Sequence, residues 1–181
     1  MVADQVTADI HWHPFQLNPH ISEGGENLRE HLAAKYGTTL EGSIKARENL
    51  TKMGAELGFK FDYFDEMKTY NTFKAHQLLE YAKEQGKHTE MKLRLFSAFF
   101  GERKVIDDIE VLVAEADAVG LDGQKCRELL EDGRYASIVE QQSKDWVSRG
   151  VQGVPTFVFD QSQGISGAQP PEVLAAILLK F

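Results

Sequence analysis

One cysteine stands among the 181 residues, Cys126, in the run Lys125-Cys126-Arg127-Glu128-Leu129-Leu130. A lone thiol forms no intrachain disulfide, no dithiol couple and no cysteine cluster for zinc. Helical spacing puts it on the apolar side of a short helix with Leu129 and Leu130, where a thiol behaves as a small inert hydrophobe. The histidines offer little more. His11 and His13 share one face of a first extended segment with Asp9, a spacing at which side chains converge, but a solvated edge face is the simpler account. His76 lies beside the apolar stripe of its helix, as a packed histidine does, and His20, His31 and His88 have no companions that suggest chemistry.

What remains is chemistry of the backbone. Near the C-terminus the chain reads Gly150-Val151-Gln152-Gly153-Val154-Pro155-Thr156-Phe157-Val158-Phe159-Asp160, then Ser166-Gly167-Ala168-Gln169-Pro170. Val154-Pro155-Thr156 runs into a short apolar strand, a common place for an edge-strand proline. Gly167-Ala168-Gln169 opens a helix, and the N–H groups at a helix start attract negative charge, although Pro170 and Pro171 remove two of those donors. A turn that merely caps the helix fits these residues equally. Judged locally, Asn18 and Asn71 are turn and cap residues.

The elements that would position these groups are legible in the periodicity. Val6, Ala8, Ile10 and Trp12 alternate with Thr7, Asp9, His11 and His13, which predicts a half-buried strand ended by Pro14. From about Glu23 to Arg149 the period is helical. Leu28, Leu32 and Tyr36 mark a first helix closed by Gly37, and Ala46, Leu50, Met53 and Leu57 a second closed by Gly58. Asn71 caps a third helix carrying Ala75, Leu78, Leu79 and Ala82, and residues 89–100 form a fourth. Asp107-x-x-Glu110 reads as a capping box for the fifth, and Asp122 caps a sixth whose face is Cys126, Leu129 and Leu130, with Leu121 stapled onto Cys126. Tyr135, Ile138, Val139, Gln142 and Trp146 give a seventh. Strand character returns at residues 156–160, with a turn, a brief partner at Ile165-Ser166, and a last helix through Val173, Leu174, Ile177, Leu178 and Phe181. The prediction is an α/β fold in which residues 1–20 and 150–181 make a small sheet domain and residues 21–149 an inserted α-helical domain.

Composition bounds the function. Hydrophobic residues at 42% and charged residues at 27% are ordinary for a soluble globular chain. The net charge is −8 with no basic cluster, which disfavours nucleic acid as a partner. No apolar run approaches the ~20 residues that cross a bilayer. The start, Met1-Val2-Ala3-Asp4-Gln5, does not read as a secretory signal. With a single cysteine, a cytoplasmic protein in a reducing compartment is expected.

The order glycine-rich approach, Val154-Pro155-Thr156, hairpin and proline-started terminal helix resembles the cis-proline loop and C-terminal end of thioredoxin-fold proteins. Within that fold the chain most resembles the DsbA-like FrnE family of dithiol-disulfide isomerases. Phe15-Gln16-Leu17-Asn18-Pro19, Asn71-Thr72-Phe73-Lys74-Ala75-His76 and Ser166-Gly167-Ala168-Gln169-Pro170 match in the same order, so the likeness runs over essentially the whole chain. It implies a thioredoxin-like sheet with a large helical insertion, and thiol-disulfide oxidoreductase or isomerase activity. It also implies a cis peptide bond before Pro155 and a substrate groove formed by Val154, Pro155 and Thr156 with Asn18, Asn71, Gly167 and Gln169. The backbone of Val154 would pair with an extended peptide or with glutathione. The partners implied are protein or peptide thiols and disulfides, or glutathione, and a homodimer is compatible with the sequence. No metal or resident cofactor is expected.

The resemblance also exposes a gap. In that fold a central strand lies between the segments matched by residues 6–12 and 156–160, and the helix after it starts with Cys-x-x-Cys, whose thiol pKa the helix dipole lowers. This sequence opens at the second strand. Each buried backbone group left unpaired costs on the order of 1–3 kcal/mol. The start could be cut back from a longer protein, the remaining strands could pair directly, or another chain could supply the strand; the first account is favoured. For these 181 residues the expectation is an incomplete sheet and no dithiol chemistry. Two other classes of function stay open. One is a glutathione-dependent isomerase or transferase of the kappa or 2-hydroxychromene-2-carboxylate isomerase type, whose members carry Ser-Asp where this chain has Ala168-Gln169. The other is a binding module for peptides or thiols that does no catalysis.

Overall fold

The computed structural model describes residues 4–181. Their elements run in the order β1 (Glu26–Asn27), α1 (Leu28–Tyr36), α2 (Leu40–Glu56), β2 (Lys68–Thr69), α3 (Phe73–Glu84), α4 (His88–Phe96), a π-helical turn (Ser97–Gly101), α5 (Ile109–Ala118), α6 (Gly123–Asp132), α7 (Ala136–Ser148), β3 (Thr156–Phe159), β4 (Gln163–Ser166) and α8 (Pro171–Leu178). The chain divides into two units, Asn18–Val139 and the residues up to Leu17 with Glu140–Phe181, the boundary falling within α7.

In the helical unit the apolar residues of α3 recur at three and four positions, so one face closes on α4 and another on α5 and α6. Leu78, Ala82, Met91, Leu112, Ala116 and Cys126 have no exposed surface, and Leu121, Leu129, Leu130 and Tyr135 complete the same cluster. Asp122 Oδ1 accepts from the Lys125 N–H at 3.1 Å, so the sixth helix starts where its cap residue predicts. Lys87 Nζ donates to the Val119 carbonyl at 2.6 Å and ties the start of α4 to the end of α5. β1 and β2 form a two-residue antiparallel ladder, Glu26 opposite Thr69 and Asn27 opposite Lys68.

Four local expectations shift. The fifth helix is capped by Asp108, which accepts from the N–H groups of Glu110 and Val111, whereas Asp107 is buried and accepts from the Gly24 N–H at 3.0 Å. Asn71 stands one place before the N-terminal boundary residue Thr72 and accepts from the Phe73 N–H at 2.9 Å. The fourth helix widens into the π-turn at Ser97, which buries Ala98 and Gly101 and lets the Phe100 carbonyl accept from the Asp62 N–H at 2.7 Å. The stripe assigned to α2 is exposed, with Leu50, Met53 and Leu57 facing solvent, and the buried residues are Ser43, Arg47 and Gly54. Tyr36 is exposed as well, and α1 has no buried residue. Periodicity reports an apolar face, and among the described residues nothing covers that of α2.

In the second unit β3 pairs antiparallel with β4, Thr156 opposite Ser166 through Phe159 opposite Gln163. The turn between them needs positive φ at Asp160 and Gln161, which the Ser162 N–H to Phe159 carbonyl bond closes. Among the described residues, 4–12 form no ladder, which corrects the strand predicted there: with no neighbouring strand in register, Ala8 is exposed and Ile10 is 65% exposed. Pro14 is the one buried residue described in this unit. Its carbonyl accepts from Ser143 Oγ at 3.4 Å, and the His13 and Trp146 rings lie 4.8 Å apart. Phe181 stacks on Phe159 at 6.1 Å.

Two stability outcomes follow from this packing. Leu78→Ala should cost about 2–5 kcal/mol by urea denaturation, and Leu57→Ala less than about 0.5 kcal/mol. Glu102 receives Arg94 at 2.6 and 2.5 Å and Lys104 at 2.8 Å, and these hydrogen bonds hold its carboxyl down at about 2 against an ordinary 4.5. A depressed carboxylate stabilises the fold above its unfolded value and loses that contribution as pH falls through the folded value. The decline of the urea midpoint from pH 5 to pH 2 should therefore be shallower in Glu102→Gln than in the parent.

Candidate functional site

The Val154–Pro155 peptide bond is cis. Hydrogen bonds hold the loop on both flanks. The Gly167 N–H donates to the Pro155 carbonyl at 2.8 Å, so the end of β4 grips the proline from across the hairpin. Thr156 Oγ1 donates to the Gly153 carbonyl at 2.7 Å, which folds the approach back onto the strand, and lies 3.4 Å from Ser166 Oγ. Gly167 has φ of 85°, the left-handed conformation that favours glycine where β4 turns toward α8. Gln169 Nε2 donates to the Ser166 carbonyl at 2.9 Å, so its amide is engaged within its own turn.

Val154 is different. Its side chain is 53% exposed, and its N–H and C=O take no backbone hydrogen bond among the described residues. Among the described residues, the strand it leads into is paired on one side only. Donors and acceptors in a row along an extended edge are what an added strand needs.

Val154, Pro155, Thr156, Gly167 and Gln169 share one unit, while Asn18 and Asn71 share the other. There, Asn71 Nδ2 donates to the Ile21 carbonyl at 2.9 Å and its Oδ1 receives the Phe73 N–H, so it braces the turn that Asn18 begins. Asn18 Oδ1 accepts from Lys35 Nζ at 2.5 Å. Both side chains are engaged by their own unit.

Cys126 has no exposed surface, and burial, with Asp117 and Asp122 nearby, pushes its thiol up to about 11. Such a thiol is a poor nucleophile. Asp9 accepts from His11 at 3.0 Å, but His13 lies against Trp146, and no group of three His, Cys, Asp or Glu able to hold a metal occurs among the described residues. Among those residues no helix is long and apolar enough to cross a membrane.

The sequence reading missed a polar group inside the helical unit, Ser43 and Arg47 on the buried face of α2. Its signal is a polar stripe at 43 and 47 continuing to Gly54, flanked by apolar positions that drew attention instead.

The profile of the DSBA-like thioredoxin domain matches residues 1–179. YwbO of Bacillus subtilis (strain 168) is 28% identical over 166 residues, which cover 91% of this chain and 78% of that protein. The crystal structure of a probable DsbA oxidoreductase from Streptomyces coelicolor superposes with a TM-score of 0.85 at 34% identity, covering 92% of this chain and 72% of that one. Matched over nearly its whole length, the chain belongs to the DsbA-like thioredoxin domain family.

Proposed function

We propose that this protein serves thiol-disulfide exchange of the DsbA type, in the FrnE-like isomerase branch, and that these 181 residues supply the edge that grips the substrate. The observation that carries the reading is the free backbone of Val154 beside the unpaired edge of β3. An extended cysteine-bearing segment adds there as a strand, its main chain bonded to Val154 and its side chains read by the exposed Val154 and Val158. In the exchange a thiolate attacks one sulfur of the substrate disulfide, the S–S bond breaks, and the other sulfur leaves as a thiolate. The attacking thiolate comes from outside these residues, because Cys126 is enclosed in the helical core. The glutathione-dependent reading has less support: positions 168 and 169 carry no carboxylate, and the Gln169 amide is spent on its own turn.

The reading is tested in two steps. This chain should not accelerate insulin reduction by dithiothreitol above buffer; acceleration would show a thiol function within these residues. An extended, cysteine-containing peptide should shift the amide resonances of Val154 to Phe159 and leave those of α3 in place. Shifts confined to the helical unit, or none at all, would remove the gripping role.

Cys126 gives a separate check. At pH 8 about one such thiol in a thousand is ionised. Iodoacetamide should therefore leave the native chain unmodified over hours and label it stoichiometrically in urea, as read by mass spectrometry.

A further inference from the structure

Helix α2 and the aromatic loop that follows it form an open groove of about 520 Å³. Glu48, Lys52 and Ala55 line it from the helix, and Phe61, Asp62 and Tyr63 from the loop. The loop wall is held in shape by its own contacts. Phe61 rests on Gly54 and lies edge-on to Phe59 and Phe100, while the Phe61 and Tyr63 rings are 5.6 Å apart and within 4° of parallel. The Asp62 N–H donates to the Phe100 carbonyl at 2.7 Å, and its carboxylate takes Arg103 at 2.7 Å and Lys60 at 3.3 Å. Arg47 does not line the groove. Its Nη1 donates to the Phe64 carbonyl at 3.1 Å, and its Nε and Nη2 are enclosed without a partner.

The polar groups of the groove divide into spent and unspent. Asp62 is taken by two cations, and Thr51 Oγ1, also on the groove, donates to the Arg47 carbonyl at 2.9 Å. Glu48 and Lys52 are left over: among the described residues neither has a hydrogen bond or ion pair. Glutamate four places before lysine is the favoured order for pairing along a helix. On α7 the chain makes that pair, with Glu140 3.3 Å from Lys144. On α2 the same spacing leaves the charges apart, a carboxylate and an ammonium about one turn from each other beside an aromatic wall. Small ligands occupy concave sites of roughly 300–1,000 Å³ built in this way, with an apolar wall and a few polar groups.

We propose that this groove binds a free α-amino acid with an aromatic side chain. Its ammonium meets the Glu48 carboxylate, its carboxylate meets Lys52 Nζ, and its ring lies against Phe61 beside Ala55. The two charges of an α-amino acid flank a single carbon, so side chains one helical turn apart can take both. A lone cation or anion would leave Glu48 or Lys52 unmatched, and the end of a polypeptide carries one of the two charges, not both. Contact between rings adds attraction beyond the area it buries. Ala55 keeps the space open, since a larger side chain there would fill it. The site lies in the helical unit and owes nothing to the thiol chemistry proposed above.

The test follows amide resonances of the full chain at pH 7 during titration with L-phenylalanine. The comparison ligands are 2-phenylethylamine, which lacks the carboxylate, 3-phenylpropionate, which lacks the ammonium, and glycine, which lacks the ring. An open groove and a ligand of this size predict a dissociation constant on the order of 1–10 mM. The shifts should centre on residues 48–63, and each comparison ligand should bind about three- to fivefold more weakly. Glu48→Gln and Lys52→Gln should each weaken L-phenylalanine by a similar factor, and Ala55→Leu should abolish its binding. All three positions are exposed on the helix, so the urea midpoints should stay at the parent value. No shift up to about 50 mM L-phenylalanine, shifts confined to other residues, or full binding by Ala55→Leu would overturn the site. 2-Phenylethylamine or 3-phenylpropionate binding as tightly as L-phenylalanine would overturn the amino-acid assignment. Tighter binding of N-acetylphenylalanine amide would overturn the free acid as the source and favour a residue within a polypeptide.

Discussion

Helix α3 has almost no solvent face, and the helical unit is arranged to satisfy that. Seven of its 12 residues are buried, among them His76, Gln77 and Glu80 as well as the apolar positions. A helix so enclosed needs apolar neighbours on several sides and partners for each polar group it carries inside. The neighbours are α4, α5 and α6. Tyr135 Oη donates to Glu84 at 2.6 Å and fixes the C-terminal turn of α3, while Glu80 stands 3.9 Å from Lys83. Glu115, almost fully buried on α5, takes Arg94 and Lys104 together and so joins α4, the segment after the π-turn and α5. Placed singly, that carboxylate would be a heavy liability; paired with two cations it fixes how three segments meet.

The other unit rests on backbone pairing more than on side-chain burial. Pro14 is its one buried residue described, and a two-stranded hairpin is marginal by itself in water. What is firm there is the proline loop, because Gly167 and Thr156 tie it from opposite sides. A gripping edge needs this combination: a loop held in shape by its own hairpin, leading into a strand that still has hydrogen bonds to give. Exposed Val154 and Val158 and the half-buried Phe157 and Phe159 are surface that a further strand would cover.

The sequence carried different parts of this structure with different clarity. Caps and turns with their own local chemistry, such as Asp122 and Gly37, stand where their residue types place them, because the side chain or the left-handed backbone settles the matter within four residues. The strand after Pro155 and the Gly167 turn were legible locally as well, whereas the cis bond before Pro155 was expected only from the family resemblance. Residues 6–12 were not, since alternation shows only that a strand would have one apolar face; pairing depends on a neighbour that alternation does not reveal. Asp107 and Asp108 show the finest limit. Both are good cap residues, and the choice fell to the distant Gly24 N–H, 83 positions away, which claims Asp107.

Helix α2 shows how a single close approach can override an apolar stripe. A β-carbon on Gly54 would come within 2.5 Å of the Phe61 ring, so that ring rests directly on the backbone of the helix. Phe61 is itself set by Phe59 at 4.9 Å, Tyr63 at 5.6 Å and Phe100 at 5.3 Å. The aromatic loop therefore chooses the side of α2 on which Gly54 lies. Two turns earlier that side carries Arg47, and one turn before that Ser43. Met53 and Leu57 lie off that side and face solvent, while Leu50, three places after Arg47, shares it and is still 42% exposed. The buried guanidinium is thus a consequence of where a ring can touch a helix, and its unpaired edge is held in place by packing whose hydrophobic contribution comes from other residues.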